Sequence, residues 1–360
     1  SIDRAIEIKA DYAEGYLNRG NALIELKRLN DAIASFDRIL ALKPDFADAL
    51  LNRATAKLLS GRLEDGWQDY EARWDTTNFP SKRPSLEAPQ WRGEDLAGRR
   101  IAVFTEQGLG DNIQFARYTR LLVERGAVVT LLAPAKLHRL LGGLHPSIEV
   151  IGSPKGRSFD FRCPLMSLPF HLGTNERTVP NRVPYLNAEE DRVAHWARVI
   201  GERGLKIGIA WQGRPDRSLD RGRSIPLTEY ARLARLPGVR LISLQKSEGL
   251  DQLGILPADV RIETLGPEFD DGPDAFIDCA AVMNHLDLVI TSDTSIAHLA
   301  GALGRPTWLA LKHVPEWRWQ LDRQDSPWYP TMRLFRQDTD GDWKPVFARI
   351  EQELQRLGIV

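Results

Sequence analysis

The chain has little cysteine, almost no net charge and no long apolar run. Two cysteines, Cys163 and Cys279, stand far apart among 360 residues, with no partner at metal-ligand spacing. Neither a disulfide framework nor a metal site is therefore expected, and a reducing, cytoplasmic setting fits. Lys plus Arg (48) balances Asp plus Glu (49), for a formal charge of −1. That balance argues against a nucleic-acid partner held by bulk charge. No apolar run of about 18 residues occurs and no signal-peptide pattern opens the sequence, so no transmembrane segment is expected and the chain reads as soluble.

The first feature present is a repeat. Sliding the chain by 34 residues lays 13–46 over 47–74, setting Tyr16 on Leu50, Asn18 on Asn52, Gly20 on Ala54, Ala32 on Gly66 and Phe36 on Tyr70. A period near 34 with this helix-turn-helix pattern resembles the tetratricopeptide repeat. The same offset lays residues 1–12 over 35–46. The chain is thus expected to begin inside the second helix of an earlier repeat, with further repeats upstream. Trp67, Tyr70 and Trp74, spaced three and four apart, form one aromatic stripe on the last helix, read as a core face that docks the repeats onto the next domain. Residues 1–75 are assigned to these repeats. Residues 76–98 form a linker broken by Pro80, Pro84, Pro89 and Gly93 and pinned by Trp91.

From Ile101 short apolar strands alternate with helices, which implies a parallel sheet covered by helices. The expected elements are strands at 101–105, 128–133 and 148–151 and helices at 112–125 and 135–141. FDF at 159–161 reads as a possible short strand and 163–174 as a loop. A second alternating set starts with KIGIAW at 206–211. The expected fold class is α/β: two Rossmann-like domains, 99–188 and 189–360, after an all-α segment. Ligands of such sheets bind at the carboxyl ends of the strands.

Two turns stand out there. In TEQGLGDNIQFARY (105–118), Gly108 and Gly110 allow a tight turn and close approach of a ligand. Asp111, where strand gives way to helix, suits either a helix cap or a general base. A dinucleotide fingerprint would place glycine where Ile113 stands, so a nicotinamide cofactor is not indicated. In LDLVITSDTSIAHLAGALG (286–304), a buried strand ends in Asp293, Thr294 and Ser295 and a helix follows. Such a turn presents backbone N–H groups and a positive helix end, which suit a phosphate, or its side chains merely cap the helix. His298, one turn on, reads as a hydrogen-bond partner of that turn.

The loop after 206–211 carries Gln212, Gly213, Arg214, Arg217, Arg221 and Arg223, a cationic run fit for a diphosphate or simply solvated. Gln245 and Lys246 close the next strand at the same edge. Asp338, Asp340 and Asp342 around Gly341 lack the later ligands of a calcium loop and read as a turn. The aromatic tail from 313 reads as packing with a possible stacking role.

EQGLGDNIQFARY and SDTSIAHLAGALGRPTWLAL together resemble the two signature regions of the family 9 glycosyltransferases, the bacterial heptosyltransferases. The resemblance implies a twin-Rossmann fold of the glycosyltransferase B type and inverting transfer from a nucleotide-diphosphate sugar to a hydroxyl acceptor, without a metal or other cofactor. It implies Asp111 as the base, Asp293, Thr294 and Ser295 as the donor-holding turn and Arg223 as a phosphate contact. Gly108, Gly110, Gln212, Arg217, Gln245, Lys246 and His298 complete the expected nucleotide-sugar set. The repeats, similar to those of the O-linked GlcNAc transferases, imply a protein or glycan acceptor. An interaction scaffold with a degenerate sugar-nucleotide domain, or a sugar-nucleotide epimerase, stays open beside this reading.

Overall fold

The computed structural model describes residues 12–214, 220 and 222–358. The expectation about residues 1–11 lies outside the described residues. Two compact units result, one formed by the chain up to Arg83 with Ser167–Val179 and Val314–Arg323, the other by the remainder.

The first unit opens with helices α1 (Ala13–Glu25), α2 (Leu29–Leu42), α3 (Ala47–Leu59) and α4 (Leu63–Tyr70). Helices α1 and α3 begin at residues 13 and 47, and α2 and α4 at 29 and 63, the 34-residue offset of the sequence. Phe36, Ile39, Ala32, Ala49 and Ala56, with Leu23, form the core shared by α1, α2 and α3. The helices close tightly because the matched small positions admit it: a Cβ on Gly20 would lie 2.4 Å from the Phe36 ring. Trp67 and Tyr70 of the aromatic stripe are buried and Trp74 is half-buried. The Trp67 and Tyr70 rings lie 5.4 and 5.8 Å from that of Trp317, and the Trp67 indole N–H donates to the Thr174 carbonyl at 2.8 Å. Buried Arg73 donates to Ser167 Oγ at 2.8 Å. Two aromatic rings and an arginine thus tie the distant segments to the helices.

In the second unit β1 (Arg100–Phe104), β2 (Val128–Leu132), β3 (Ile148–Ile151) and β4 (Phe161–Pro164) form a parallel four-stranded sheet, order β3-β2-β1-β4. Helices α5 (Leu109–Ala116), α6 (Tyr118–Glu124) and α7 (His138–Gly142) connect it. Phe115, Tyr118 and Leu122 are buried, as their spacing predicts. The loop expected at 163–174 instead begins inside β4 and contains a one-turn helix, α8 (Leu168–His171). β4 is drawn past 161 because it pairs with β1, Val103 opposite Cys163, while the end of the linker bonds its outer edge, Trp91 N–H to the Arg162 carbonyl at 2.9 Å.

After α9 (Glu190–Ile200) comes a parallel six-stranded sheet, order β10-β9-β8-β5-β6-β7. Its strands are β5 (Leu205–Ala210), β6 (Val239–Ser243), β7 (Ile262–Glu263), β8 (Leu288–Ser292), β9 (Thr307–Leu311) and β10 (Met332–Arg336). The helices among them are α10 (Ala231–Ala234), α11 (Ile277–Met283), α12 (Ser295–Ala302) and α13 (Lys344–Arg356). Ile207, Ile209, Leu241 and Ile290 pack on Tyr230, Phe347 and Ile350. The tail read as aromatic packing therefore supplies an edge strand and a closing helix as well. Among the described residues no helix is long and apolar enough to cross a membrane, and no group of three or more His, Cys, Asp or Glu is placed to hold a metal ion.

Trp317→Ala should lower the unfolding free energy by about 3–5 kcal/mol, the cost of emptying a tryptophan-sized site, read as a shift of the denaturant midpoint. An unchanged midpoint would show that Trp317 is dispensable to its unit.

Candidate functional site

In the six-stranded sheet the chain leaves β5 toward β6 on one side, while β8 leads toward β9 on the other. Loops diverging from adjacent strand ends leave a crevice at the carboxyl edge. A pocket of about 280 Å³ opens there, close to the lower bound of about 300 Å³ common for small-molecule sites. It brings together Gln212, Gln245, Lys246, Thr294 and Ser295 of the expected set, with Gly213 and Arg214 from the cationic loop.

Thr294 is the N-cap residue of α12 by backbone, at φ −137° and ψ 177°, yet its side chain makes no capping bond. Its Oγ1 is buried with no hydrogen-bond partner among the described residues, and so is Ser292 Oγ. An unmade bond of this kind costs about 1–3 kcal/mol unless a ligand or water meets it. Ser295 and Ile296, the first residues of α12, line this pocket beside the uncapped Thr294. Asp293, half-buried, precedes them.

The other expected turn is next to this one. At the start of α5, Asp111 Oδ2 accepts the Gly108 N–H at 2.8 Å, so the carboxylate does cap its own helix. Gln107, just before, holds φ +61°, a left-handed conformation that is costly without a glycine. A Cβ on Gly110 would lie 2.8 Å from the His298 ring and 3.3 Å from Ser295 Cα. The space at Gly110 is thus filled by protein: α5 and α12 touch through their first turns, and two positive helix ends converge. His298 is buried, and its Nδ1 pairs with the Tyr329 hydroxyl at 3.0 Å. That bond ties α12 to the segment ahead of β10.

Behind the contact lies a cation that sequence reasoning missed. Arg117 is buried, with its guanidinium 4.4 and 4.3 Å from the Tyr185 and Tyr329 ring centres. It donates to the Trp328 carbonyl at 2.6 Å, the Gln114 carbonyl at 2.7 Å and the Tyr185 hydroxyl at 2.9 Å. Burial alone lowers the pKa of a guanidinium, but the phenol oxygens around Arg117 outweigh that and keep it firmly charged. An arginine on an otherwise aromatic helix face was the only sequence signal.

Of the loop residues, Gln245 Oε1 accepts the Trp211 and Gln212 amides, both at 3.1 Å, and its Nε2 donates to the Gln212 carbonyl at 2.8 Å. Gln212 Oε1 in turn accepts from Gln252 at 2.9 Å. Lys246 donates to the Phe269 carbonyl. These three residues line the pocket, but much of their bonding capacity fixes loops. The Arg223 guanidinium lies against Gly213, where a Cβ would be 2.6 Å from Nη2, and its buried Nε has no partner among the described residues. Arg217 lies outside the described residues.

Asp270, Phe276, Leu244 and Ile296 line the same pocket and were not read from the sequence. Asp270 and Phe276 both hold left-handed backbones, φ 47° and 69°. Burial pushes the Asp270 carboxyl up to about 6, against the pull of the Asp278 and Cys279 amides that it accepts. For Asp278 burial acts upward too, but the Trp196 indole and Arg192 guanidinium outweigh it and hold that carboxyl below the usual range. The acidic doublet between β7 and α11 was the available signal.

No family model matches the chain. Over 98% of its length it is 27% identical, across 379 residues, to Protein FlbA of Caulobacter vibrioides, and it spans 63% of that protein. Among solved structures it is similar to the E. coli ADP-heptose LPS heptosyltransferase II, with a TM-score of 0.51 at 16% identity, covering 72% of this chain and 98% of that one. It is also similar to a family 9 glycosyl transferase from Veillonella parvula, with a TM-score of 0.54 at 12% identity, covering 74% and 99%. At these identities the likeness is one of fold: parallel α/β lobes of the glycosyltransferase B type.

The site geometry sets two outcomes. Gly110→Leu should separate the first turns of α5 and α12 and lower stability by about 1–3 kcal/mol, visible as a lower melting temperature. The folded Asp270 carboxyl keeps its proton up to about 6, where the unfolded group has lost it from about 4 upward. Its contribution to stability is therefore present below pH 4 and lost as pH rises through 6, a loss of up to about 3 kcal/mol. Unfolding of the wild type and of Asp270→Asn across pH 4–7 should differ by that slope, and parallel curves would remove Asp270 as its source.

Proposed function

We propose that this chain is a glycosyltransferase that moves a sugar from a nucleotide-diphosphate sugar to a hydroxyl acceptor, with inversion at the anomeric carbon. The observation that carries the reading is the N-terminus of α12, with the unpartnered Thr294 Oγ1 at a pocket on the sheet's switch point. The names of the fold neighbours, a heptosyltransferase and a glycosyl transferase, support the same class.

The donor diphosphate sits at Thr294 and Ser295, with Arg223, Arg214, Lys246 and Arg217 as counter-charges and no resident metal. A diphosphate leaves with growing negative charge, and preorganised amides and cations aimed at that charge favour the transition state. Asp111 takes the acceptor hydroxyl proton. The acceptor oxygen bonds the anomeric carbon as the bond to the β-phosphate oxygen breaks, and that electron pair departs on the diphosphate. Attack opposite the leaving group inverts the centre. The helices α1–α4, as tetratricopeptide repeats, present a protein or glycan acceptor.

The Gly108 bond to Asp111 Oδ2 favours a second reading, since a carboxylate that only caps its helix makes that bond too. In it the α/β unit is a sugar-nucleotide sensor and the repeats are the working part. Asp111→Asn keeps an acceptor oxygen for the cap but loses the base. It should cut turnover by about 10²–10⁴ with donor affinity unchanged, measured as nucleotide released from UDP-, GDP-, ADP- and CDP-sugars with cell extract supplying acceptors. Full turnover in that variant removes Asp111 as base, and nucleotide binding without release from any donor selects the sensor. Thr294→Val should weaken donor binding by about 10-fold or more, the worth of a bond to a charged group, read by calorimetry.

A further inference from the structure

The pocket lining divides by chemistry. Thr294, Ser295, Arg214 and Lys246 offer hydroxyls, amides and cations, while Leu244, Ile296 and Phe276 offer apolar surface beginning one residue beyond Ser295. A diphosphate seated on the first group leaves the second for the nucleoside, whose base is flat and apolar on its faces and polar at its edge. Among the described residues, the carboxylates lining the pocket are those of Asp270 and Glu248, and Glu248 is exposed.

Asp270 is held in a frame. Its N–H donates to Asp278 Oδ2 at 2.8 Å, and its Oδ1 accepts the Asp278 N–H at 2.7 Å and the Cys279 N–H at 3.4 Å. Asp278 is in turn fixed by the Trp196 indole at 2.8 Å and the Arg192 guanidinium at 2.7 Å. Every protein hydrogen bond described on the Asp270 carboxylate falls on Oδ1, so Oδ2 retains its accepting capacity. Asp270 and Phe276 also share the left-handed backbone that side chains rarely adopt. Paired strain of this kind persists where surroundings over-determine it, and it gathers at ligand clamps.

Resting on the donor reading above, we propose that Asp270 selects the base of the donor nucleotide, favouring adenine, guanine or cytosine over uracil. An ionised carboxylate only accepts hydrogen bonds. The exocyclic amino group of adenine, guanine or cytosine donates to it. Uracil offers a single N3–H between two carbonyl oxygens, which a carboxylate repels. Burial leaves Asp270 ionised at neutral pH by a small margin, and an amino donor stabilises that form.

Calorimetry on the whole chain with ADP, GDP, CDP and UDP tests the proposal. At least one amino-bearing nucleotide should bind about 10- to 100-fold more tightly than UDP, the worth of one bond to a charged acceptor. Asp270→Asn replaces that acceptor with an amide that can also donate, and should erase or reverse the preference while circular dichroism reports a folded chain. UDP binding as tightly as every other nucleotide, or a ratio unmoved in Asp270→Asn, overturns the assignment. No binding by any of the four nucleotides would instead overturn the donor reading itself. The wild-type ratio decides even if the variant fails to fold.

Discussion

Two helix ends of like sign are pressed together where Gly110 meets Ser295 and His298. Each helix N-terminus carries roughly half a positive charge, so the contact of α5 with α12 is electrostatically unfavourable as it stands. Asp111 answers one end by accepting the Gly108 amide. At the other end Thr294 keeps an unpartnered hydroxyl, and it lines the pocket with Ser295 and Ile296. The diphosphate of the proposed donor would complete the arrangement, with more charge than one helix end calls for. The cationic loop at Arg214 and Arg223 is consistent with that excess.

Such a contact must be held from behind. Tyr329 bonds His298 on α12 and lies under the guanidinium of Arg117, which follows α5 directly. Arg117 also bonds the carbonyl of Trp328 and the hydroxyl of Tyr185, and that hydroxyl donates to the Ile113 carbonyl of α5 at 3.0 Å. The partners of this guanidinium are neutral oxygens and ring faces, which stabilise a buried cation through many modest contributions. They tie Trp328 and Tyr329, just ahead of β10, to both motif helices. The aromatic density of the tail thereby has a physical role beyond filling volume.

Much of this frame was legible because it derives from period and punctuation. Alternating apolar runs gave two parallel sheets, and the 34-residue offset reappears in the starts of α1 to α4. The polar turn after β8 announced itself by interrupting a buried strand. The features that escaped had only weak local signals. β10 reads MRLFR, and two arginines in five residues hide an edge strand. They are tolerated because Arg333 pairs with Glu353 of α13 and lies over the Phe335 ring at 5.0 Å. Asp270 was invisible for the opposite reason. Its loop has no periodicity, and its importance comes from Asp278, eight residues on, which fixes it only in three dimensions.

Polar residues at strand ends are ambiguous in sequence, since the same atoms can bind a ligand or brace a loop. The structure separates the two uses by how far each group's hydrogen-bonding capacity is already met. Gln245 has two amides on its oxygen and a carbonyl on its nitrogen, so most of what an amide side chain can do is already committed to holding β5 and β6 in place. Thr294 Oγ1 and Asp270 Oδ2 belong to the same pocket with capacity in reserve. Committed and uncommitted groups thus share one opening, and the committed ones hold the others in place. A loop fixed in advance loses less freedom when a ligand arrives, which is what the largely committed Gln245 beside an uncommitted threonine provides.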